Sequence, residues 1–561
     1  ASAYAQVEQG AGGVELVAKT SSFVAWAGRL VQLSGAPEVV AEAEFWRATE
    51  AAARALPRVF EGGANLVSGA RRVSVALDAV LTERLLREVP AAFRTQIDDV
   101  LLSVLGVVFT EWTGARSVVV DVEGHGREDV GGDVDVSRTV GWFTSVHPVE
   151  LTALVDGDLG ALLRRTKEYL RGIPRKGLGY GLLRHLTDWV PQGQAEVGFN
   201  YLGQSSRRPD DTHKPSDAGR TPEGRGSRFR PLPGFLGEGE SSQNERSYLI
   251  DVNSQVADGR LEMVWTYGVE VHDEATVTGL AERYVEVLAE LIEYCCRPGT
   301  GGHTPSDFPL ARIDQAALDR VAARVPTEIE DIYPLTPLQQ GMLFHTRLSA
   351  DPGMYWAQNG LMLEGDLDLD AWKRAWELAF SRHEVLRTAV VSDDVPQPLA
   401  VVSRSVPLPL EVLDLAHLDE EERRDAISAH LEADWARGAD FTASTLVRLV
   451  LVRLGGGRHQ LVWSYHHLLL DGWSVPIVLG EVLEAYHALR VGRLPELGAR
   501  AAFREFAVWV AGQDEGAARE YWEGRLAGFG EVTSLGVERV TGEEGLEEVH
   551  LRLPAAVAGE G

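Results

Sequence analysis

One short segment of this 561-residue chain holds side chains that can move protons, His466-His467-Leu468-Leu469-Leu470-Asp471-Gly472-Trp473-Ser474. It follows Gln460 to Tyr465, which reads as a strand. Adjacent side chains of a strand point to opposite sides, so the two histidines cannot do the same job. An imidazole at a strand end can act as a base or as a hydrogen-bond acceptor. An Asp four residues on can tie the loop down, and Gly472 would permit a turn conformation closed to other residues. The same residues also suit a satisfied histidine pair in a buried loop, and the motif alone leaves both readings open. A metal site needs a third ligand that this spacing does not supply.

The elements that must carry such a segment alternate between helix and strand. Ala79 to Val89 and Thr95 to Trp112 have apolar residues at helical spacing, while Ser117 to Val122 is a β-branched run. Glu274 to Cys295 is amphipathic and long enough for a closing helix; Leu367 to Phe380 reads as a helix and Leu446 to Arg453 as a strand. The fold class is therefore α/β or α+β, with layered sheets and helices. Two polar stretches interrupt it. Residues 203–247 are dense in Ser, Arg, Pro, Asp and Gly and read as a solvated loop, and Arg297 to Asp307 reads as the start of a linker.

An internal repeat organises the whole. Phe23 and Glu44-Phe45-Trp46 recur about 480 positions later as Phe503 and Glu520-Tyr521-Trp522, and Arg72 to Leu77 recurs as Glu548 to Leu553. The chain is expected to begin late in one copy and to end shortly after the same point in the next, so that both copies are partial.

Composition narrows the partners. With 83 acidic against 54 basic residues the formal charge is -29, a field that repels nucleic-acid phosphates and anionic lipid. No apolar run approaches the ~18 residues of a membrane span. Cys295 and Cys296 are adjacent, which disfavours a disulfide between them, and no Cys/His metal set exists. A reducing, cytoplasmic setting follows. Five Lys against 49 Arg, with abundant Ala, Gly and Val, suggest a GC-rich bacterial gene.

Three motifs in order give the second copy a family. Tyr333-Pro-Leu-Thr-Pro-Leu-Gln-Gln-Gly-Met-Leu-Phe-His345, then Arg382-His-Glu-Val-Leu-Arg-Thr388, then the histidine segment resemble the opening motifs of condensation domains of nonribosomal peptide synthetases. The first copy resembles the epimerization domains of the same megasynthases. That likeness rests on Arg94-Thr-Gln-Ile-Asp-Asp-Val100, Val122-Glu-Gly-His-Gly-Arg-Glu128, Asp135-Val-Ser-Arg-Thr-Val-Gly-Trp-Phe-Thr144, Pro174-Arg-Lys-Gly-Leu-Gly-Tyr180 and Gly198-Phe-Asn-Tyr-Leu-Gly203. Both families imply chloramphenicol-acetyltransferase-like lobes with the active site in a channel between them. The implied map is the tail of an N-terminal epimerization lobe at 1–60 and the C-terminal lobe at 61–296. A linker follows at 297–326, then an N-terminal condensation lobe at 327–510 and the crossover into a truncated C-terminal lobe at 511–561. Residues 1–60 contain no HHxxxDG, so the histidine-bearing half of the first copy is absent from this sequence.

The resemblance also assigns residues. Epimerising a thioester at Cα requires proton removal on one face and return on the other, with stabilisation of the enolate. Glu123 is then one base, with Arg127, Asn200 and Tyr201 lining the site; outside the family Glu123 would be a surface turn residue. His125 reads as structural. Condensation requires an amine to attack a thioester carbonyl, and there His467 is the catalytic histidine, as base or as a group positioning the amine. His466 reads as its packed neighbour, and Asp471 is expected to pair with Arg387. A donor of D configuration and an L acceptor fit the order of the two copies. No cofactor is expected to bind directly. Substrates would arrive on the 4'-phosphopantetheine of carrier domains upstream and downstream, loaded by adenylation domains of the same assembly line. Two other readings are a stand-alone acyltransferase and a non-catalytic module that binds carriers.

Overall fold

The computed structural model describes residues 6–7, 13–205 and 240–530. Most of the polar stretch 203–247, the repeated strand at 548–553 and most of the expected crossover at 511–561 lie outside the described residues. Two compact units are present, Ala1–Ala499 and Arg500–Gly561.

In the first unit, helices α1 (Phe23–Ser34), α2 (Pro37–Val40) and α3 (Ala43–Ala51) precede strand β1 (Ala70–Ala76). Helices α4 (Ala79–Phe93) and α5 (Ile97–Thr113), strands β2 (Ser117–Gly124) and β3 (Ser145–Thr152), and helices α6 (Leu159–Gly172) and α7 (Leu178–Leu186) come next. Strands β4 (Val197–Ser205), β5 (Ile250–Ala257) and β6 (Arg260–Gly268) and helix α8 (Glu274–Cys295) follow. The six strands form one sheet in the order β1-β6-β5-β4-β2-β3, with β4 parallel to both β2 and β5.

Helix α5 shows why this region folds around its centre. It is apolar on every side, buried without interruption from Asp99 to Thr110, and such a helix must run through a core. The Gln96 and Asp99 side chains cap its start reciprocally, and Arg171 holds the buried Asp99 through two bonds of 2.9 and 2.8 Å. Helices α4, α5 and α8 pack against the sheet. The strands alternate accordingly. In β5, Ile250, Val252, Ser254 and Val256 are buried, while Asp251, Asn253 and Gln255 turn the other way and stay partly open. Helix α8 ends at Cys295, with Cys296 as its cap, and no disulfide links the two.

The stretch expected to be a linker, 297–326, is folded. It contains helix α9 (Gln315–Arg324), and Phe308, Ile313, Leu318 and Val321 form a core with Ile329, Ile332, Val391 and Val401. Its entry is anchored to the first sheet region. The buried Lys167 pairs with Asp307 at 2.7 Å and donates to the Phe93 carbonyl at 2.8 Å. Arg94 donates to the carbonyls of Ile329 and Glu330 at 2.9 and 3.1 Å and lies 5.2 Å from the Phe308 ring centre. Burial and ion pairing thus replace the freedom that Gly and Pro content suggested.

Strand β7 (Ile329–Pro334), helix α10 (Pro337–Leu348), strand β8 (Trp356–Glu364), helix α11 (Leu369–Arg382) and strands β9 (Thr388–Val391), β10 (Leu399–Ser403) and β11 (Leu410–Asp414) come next. Helix α12 (Glu420–Arg437), strands β12 (Val447–Gly455) and β13 (Arg458–His466) and helix α13 (Ser474–Arg490) complete the unit. Two small sheets result, β7-β10-β9 and β11-β12-β13-β8. Strand β13 is buried from Leu461 onward and delivers its last residue, His466, into the core. The second unit contains α14 (Phe503–Ala511) and α15 (Glu515–Arg525), the latter capped by Asp514. Among the described residues, no helix is long and apolar enough to cross a membrane.

Candidate active sites

Glu123 stands near the end of β2, beside Asn200 of the parallel strand β4, whose amide donates to its carboxylate at 2.9 Å. One strand further, Asn253 donates to Asp251 at 3.0 Å, and Asn200 and Asn253 are register partners. The result is a polar row of Glu123, Asn200 and Asn253 across one face of the sheet, with Asp251 two residues before Asn253 on the same strand. One alternation back along the strands, Gly198 lies between Asp121 and Asp251. A Cβ there would come within 2.5 Å of the Tyr248 ring. Glycine therefore lets Tyr248 lie across β4, where its hydroxyl donates to Asp121 at 3.1 Å.

This floor sets the chemistry of Glu123. Its side chain reaches solvent, yet desolvation around the carboxyl, followed by the Asp251 charge, holds it above the ordinary glutamate range. Burial also pushes Asp121 up to about 6, opposed by the Tyr248 hydrogen bond. A carboxyl with raised proton affinity, fixed by one amide, is equipped for acid–base exchange at neutral pH.

The rest of the Glu123 loop is occupied with itself. His125 accepts from the Arg127 backbone N–H at Nδ1 and pairs with Glu128 at 3.2 Å, and Glu128 also meets Lys176 at 3.0 Å. Gly126 has φ +63°, and a Cβ there would run into the Phe143 carbonyl. The expected site residues divide. Asn200 joins Glu123. Arg127 instead turns to the following loop, stacked 4.0 Å over the Phe143 ring and donating to the carbonyls of Val136 and Thr139. Tyr201 follows Asn200 on the same strand and so faces the opposite side, where it packs on the core.

The two histidines separate as alternation requires. His466 is 0% exposed, while His467 is open to solvent. Nδ1 of His466 accepts from the Leu468 backbone N–H at 3.0 Å, and its Nε2 lies 3.0 Å from Thr346 Oγ1 on α10. Burial, and then the neighbouring His467, push its pKa down to about 4, so the ring is neutral. His467 presents Nδ1 to the Leu470 carbonyl at 3.2 Å, and its backbone N–H donates to the Tyr355 carbonyl at 2.9 Å. A carbonyl can only accept, so Nδ1 carries a proton, and in the neutral ring Nε2 keeps its lone pair. Such an imidazole can take a proton or orient an amine.

Two expectations about this turn are corrected. Asp471 does not pair with Arg387; it accepts from the Ser474 backbone N–H at 2.8 Å and the Ser474 hydroxyl at 2.6 Å, at the start of α13. Arg387 is buried elsewhere. It pairs with Glu330 of β7 at 2.6 Å and donates to the carbonyls of Phe380, Ser403 and Arg404. A local serine three residues on is the nearer partner for Asp471, and a buried guanidinium needs more acceptors than one loop aspartate offers. Gly472 does not adopt a left-handed conformation, and a Cβ there would meet open space. The clamp that holds the turn lies outside the motif itself. Gln339 and Thr346 both reach it from α10, Gln339 donating to the Leu468 carbonyl at 3.0 Å. Their separation of seven residues, two helical turns, is the signal that could have found them. Among the described residues, no group of three or more His, Cys, Asp and Glu side chains is placed to hold a metal ion.

A family model described as the condensation domain matches residues 1–309 and 329–555. One of the linear gramicidin synthase proteins of Brevibacillus parabrevis is 38% identical over 565 residues, covering 98% of this chain and 7% of that protein. Bacitracin synthase 3 of Bacillus licheniformis is 31% identical over 529 residues, covering 93% of this chain and 8% of that protein. The chain thus spans a small part of the length of these curated relatives. Among solved structures, the epimerization domain from the third module of tyrocidine synthetase B is 34% identical, with a TM-score of 0.46, over 52% of this chain and 64% of that one.

Proposed function

The chain belongs to the condensation-domain family, and from that premise we propose that it is part of a nonribosomal peptide synthetase carrying two successive half-sites. In this reading the region of Glu123 epimerises a carrier-bound aminoacyl or peptidyl thioester at Cα, from L to D. The region of His467 then joins the D-configured donor to the next carrier-bound amino acid. The observation that carries the proposal is the fixed tautomer of His467, whose Nε2 is left as the acceptor at the open end of a strand. The pairing of Glu123 with Asn200 supports its first half.

In the first step the Glu123 carboxylate takes the Cα proton. The C–H electrons move into the thioester enolate, and a proton returns to the opposite face from a histidine that this sequence does not supply. In the second step the new amide bond forms as the acceptor nitrogen attacks the donor's thioester carbonyl. The nitrogen proton passes toward His467 Nε2, or is oriented by it, and the carrier thiol leaves. The substrates ride on 4'-phosphopantetheine of carrier domains before and after this segment, loaded by adenylation domains of the same assembly line. Each channel needs an opposing lobe, so little turnover is expected from these residues alone.

The test is to mix the chain with a peptidyl carrier and an acceptor aminoacyl carrier in heavy water and read the products by mass spectrometry. The reading expects neither deuterium at Cα nor a new peptide bond until opposing lobes are added. Adding a histidine-bearing epimerization lobe then restores exchange only while Glu123 is intact. Exchange that persists in Glu123→Gln would sink it.

A further inference from the structure

Hydrogen bonds behind His467 tie its turn to α10 with a defined proton direction. Thr346 Oγ1 donates to the Met342 carbonyl at 2.9 Å, one helical turn back on α10. The Met354 carbonyl lies further from this hydroxyl, at 3.5 Å, and also accepts from the His466 ring, so the Thr346 lone pair faces His466 Nε2 at 3.0 Å beside a second acceptor. Nδ1 of His466 already accepts from the Leu468 N–H, so in a neutral ring Nε2 must carry the proton and donate to Thr346. Leu469 N–H donates to the His466 carbonyl at 2.9 Å, and Gln339 fixes the Leu468 carbonyl at 3.0 Å. The turn so held brings the Leu470 carbonyl to His467 Nδ1 at 3.2 Å. On the other side, the His467 N–H rests on the carbonyl of Tyr355, a non-glycine residue with φ +60°. That conformation persists only where the surroundings impose it.

We propose that Thr346 is a positioning residue for His467: through the tautomer of His466 it fixes the Leu468–Leu470 turn and so keeps the His467 proton on Nδ1. The two adjacent histidines are thereby opposite tautomers, His466 protonated at Nε2 and His467 at Nδ1. Thr346 acts through His466, by keeping the outward nitrogen of His467 an acceptor. The functional consequence rests on the reading of His467 as the condensing histidine, whereas the tautomer assignment does not.

The full chain, labelled with 15N, tests this through long-range proton–nitrogen correlations of the imidazole rings at neutral pH, with Thr346→Val and Thr346→Ser. The wild type should give one protonated and one bare nitrogen in each ring, in opposite places. Thr346→Val should abolish the single Nδ1–H signature of His467, leaving averaged shifts on both its nitrogens, and Thr346→Ser should restore it. An unchanged His467 pattern in Thr346→Val, or an Nε2–H His467 in the wild type, would overturn the proposal. Should Thr346→Val lose its fold by circular dichroism, Gln339→Leu provides the same test on the Leu468 carbonyl, and an unchanged His467 pattern there counts equally against it. In the reconstituted assembly, normal peptide formation by His467→Gln, with the tautomers as described, would instead reject the functional reading while leaving the wiring standing.

Discussion

The regions around Glu123 and His467 hold a titratable side chain in opposite ways. Glu123 lies on an open sheet face, held by one amide, and its proton affinity comes from the desolvated floor beneath it and from a second carboxylate. His467 is held by position: its backbone and Nδ1 are both fixed, and a buried neighbour is wired to α10 behind it. A carboxylate has two equivalent oxygens, so what must be set is how tightly it holds a proton. An imidazole has two distinct nitrogens, so what must be set is which one is bare. The first asks for electrostatics and the second for geometry.

The sharpest way to break this contrast is to damage geometry where it is densest. Arg387 is 3% exposed and donates to four carbonyls, those of Phe380, Ser381, Ser403 and Arg404, besides Glu330, so Arg387→Met should destabilise the second region by about 3 kcal/mol in a denaturant titration. Glu330 is 40% exposed, and Glu330→Gln should cost no more than about 1 kcal/mol. Equal losses would mean that the ion pair, and not the carbonyl cage, holds the motif.

The two regions should also respond to pH with opposite sign. Asp121 holds its proton more tightly when folded, its pKa rising from 3.8 to about 6. The folded state therefore binds more protons in that window, and this group's contribution falls as pH rises through it. His466 behaves in reverse. Its pKa drops from 6.5 to about 4, the unfolded chain binds the proton better, and stability is lost as pH falls from 6.5 toward 4. Against wild type, Asp121→Asn should gain on the order of 2 kcal/mol between pH 4 and 6, and His466→Gln should lose a similar amount between pH 4 and 6.5. Urea titrations across that range decide it; parallel slopes would contradict both assignments.

The smallest effect separates burial from charge at Glu123. Asp251 is the lesser of the two causes of its raised pKa. Asp251→Asn should therefore lower the Glu123 carboxyl midpoint only part of the way in a carbon-13 NMR titration, without returning it to the ordinary value. The groups that bear on this pair are Asp121 on β2, Tyr248 over Gly198, and Arg246, whose charge opposes Asp251. A full return would mean that charge alone tunes the site.

Much of the scaffold was legible because period and capping are local. Helix α8 spans the same residues as its amphipathic pattern, and strand alternation correctly parted His466 from His467. Alternation also forbids Asn200 and Tyr201 from sharing a face, a consequence the motif likeness obscured. Contacts across distant elements were not legible. Besides the carbonyls at the end of α11, the partners of Arg387 lie on β7 and around β10, and nothing in Gly198 announces that Tyr248 will cross over it. Asp471 is the reverse case, since its serine three residues on was visible all along.

The central claim, two chemically distinct half-sites in one chain, is tested most directly by crossing two variants in one assay. With opposing lobes and loaded carriers added in heavy water, Glu123→Gln should cut Cα deuterium uptake by roughly 10²–10⁴-fold while a preformed D-donor still couples at the normal rate. His467→Gln should do the converse, sparing exchange and losing coupling. If either substitution abolishes both products, or neither changes its own, the account of two separate proton-transfer sites is wrong.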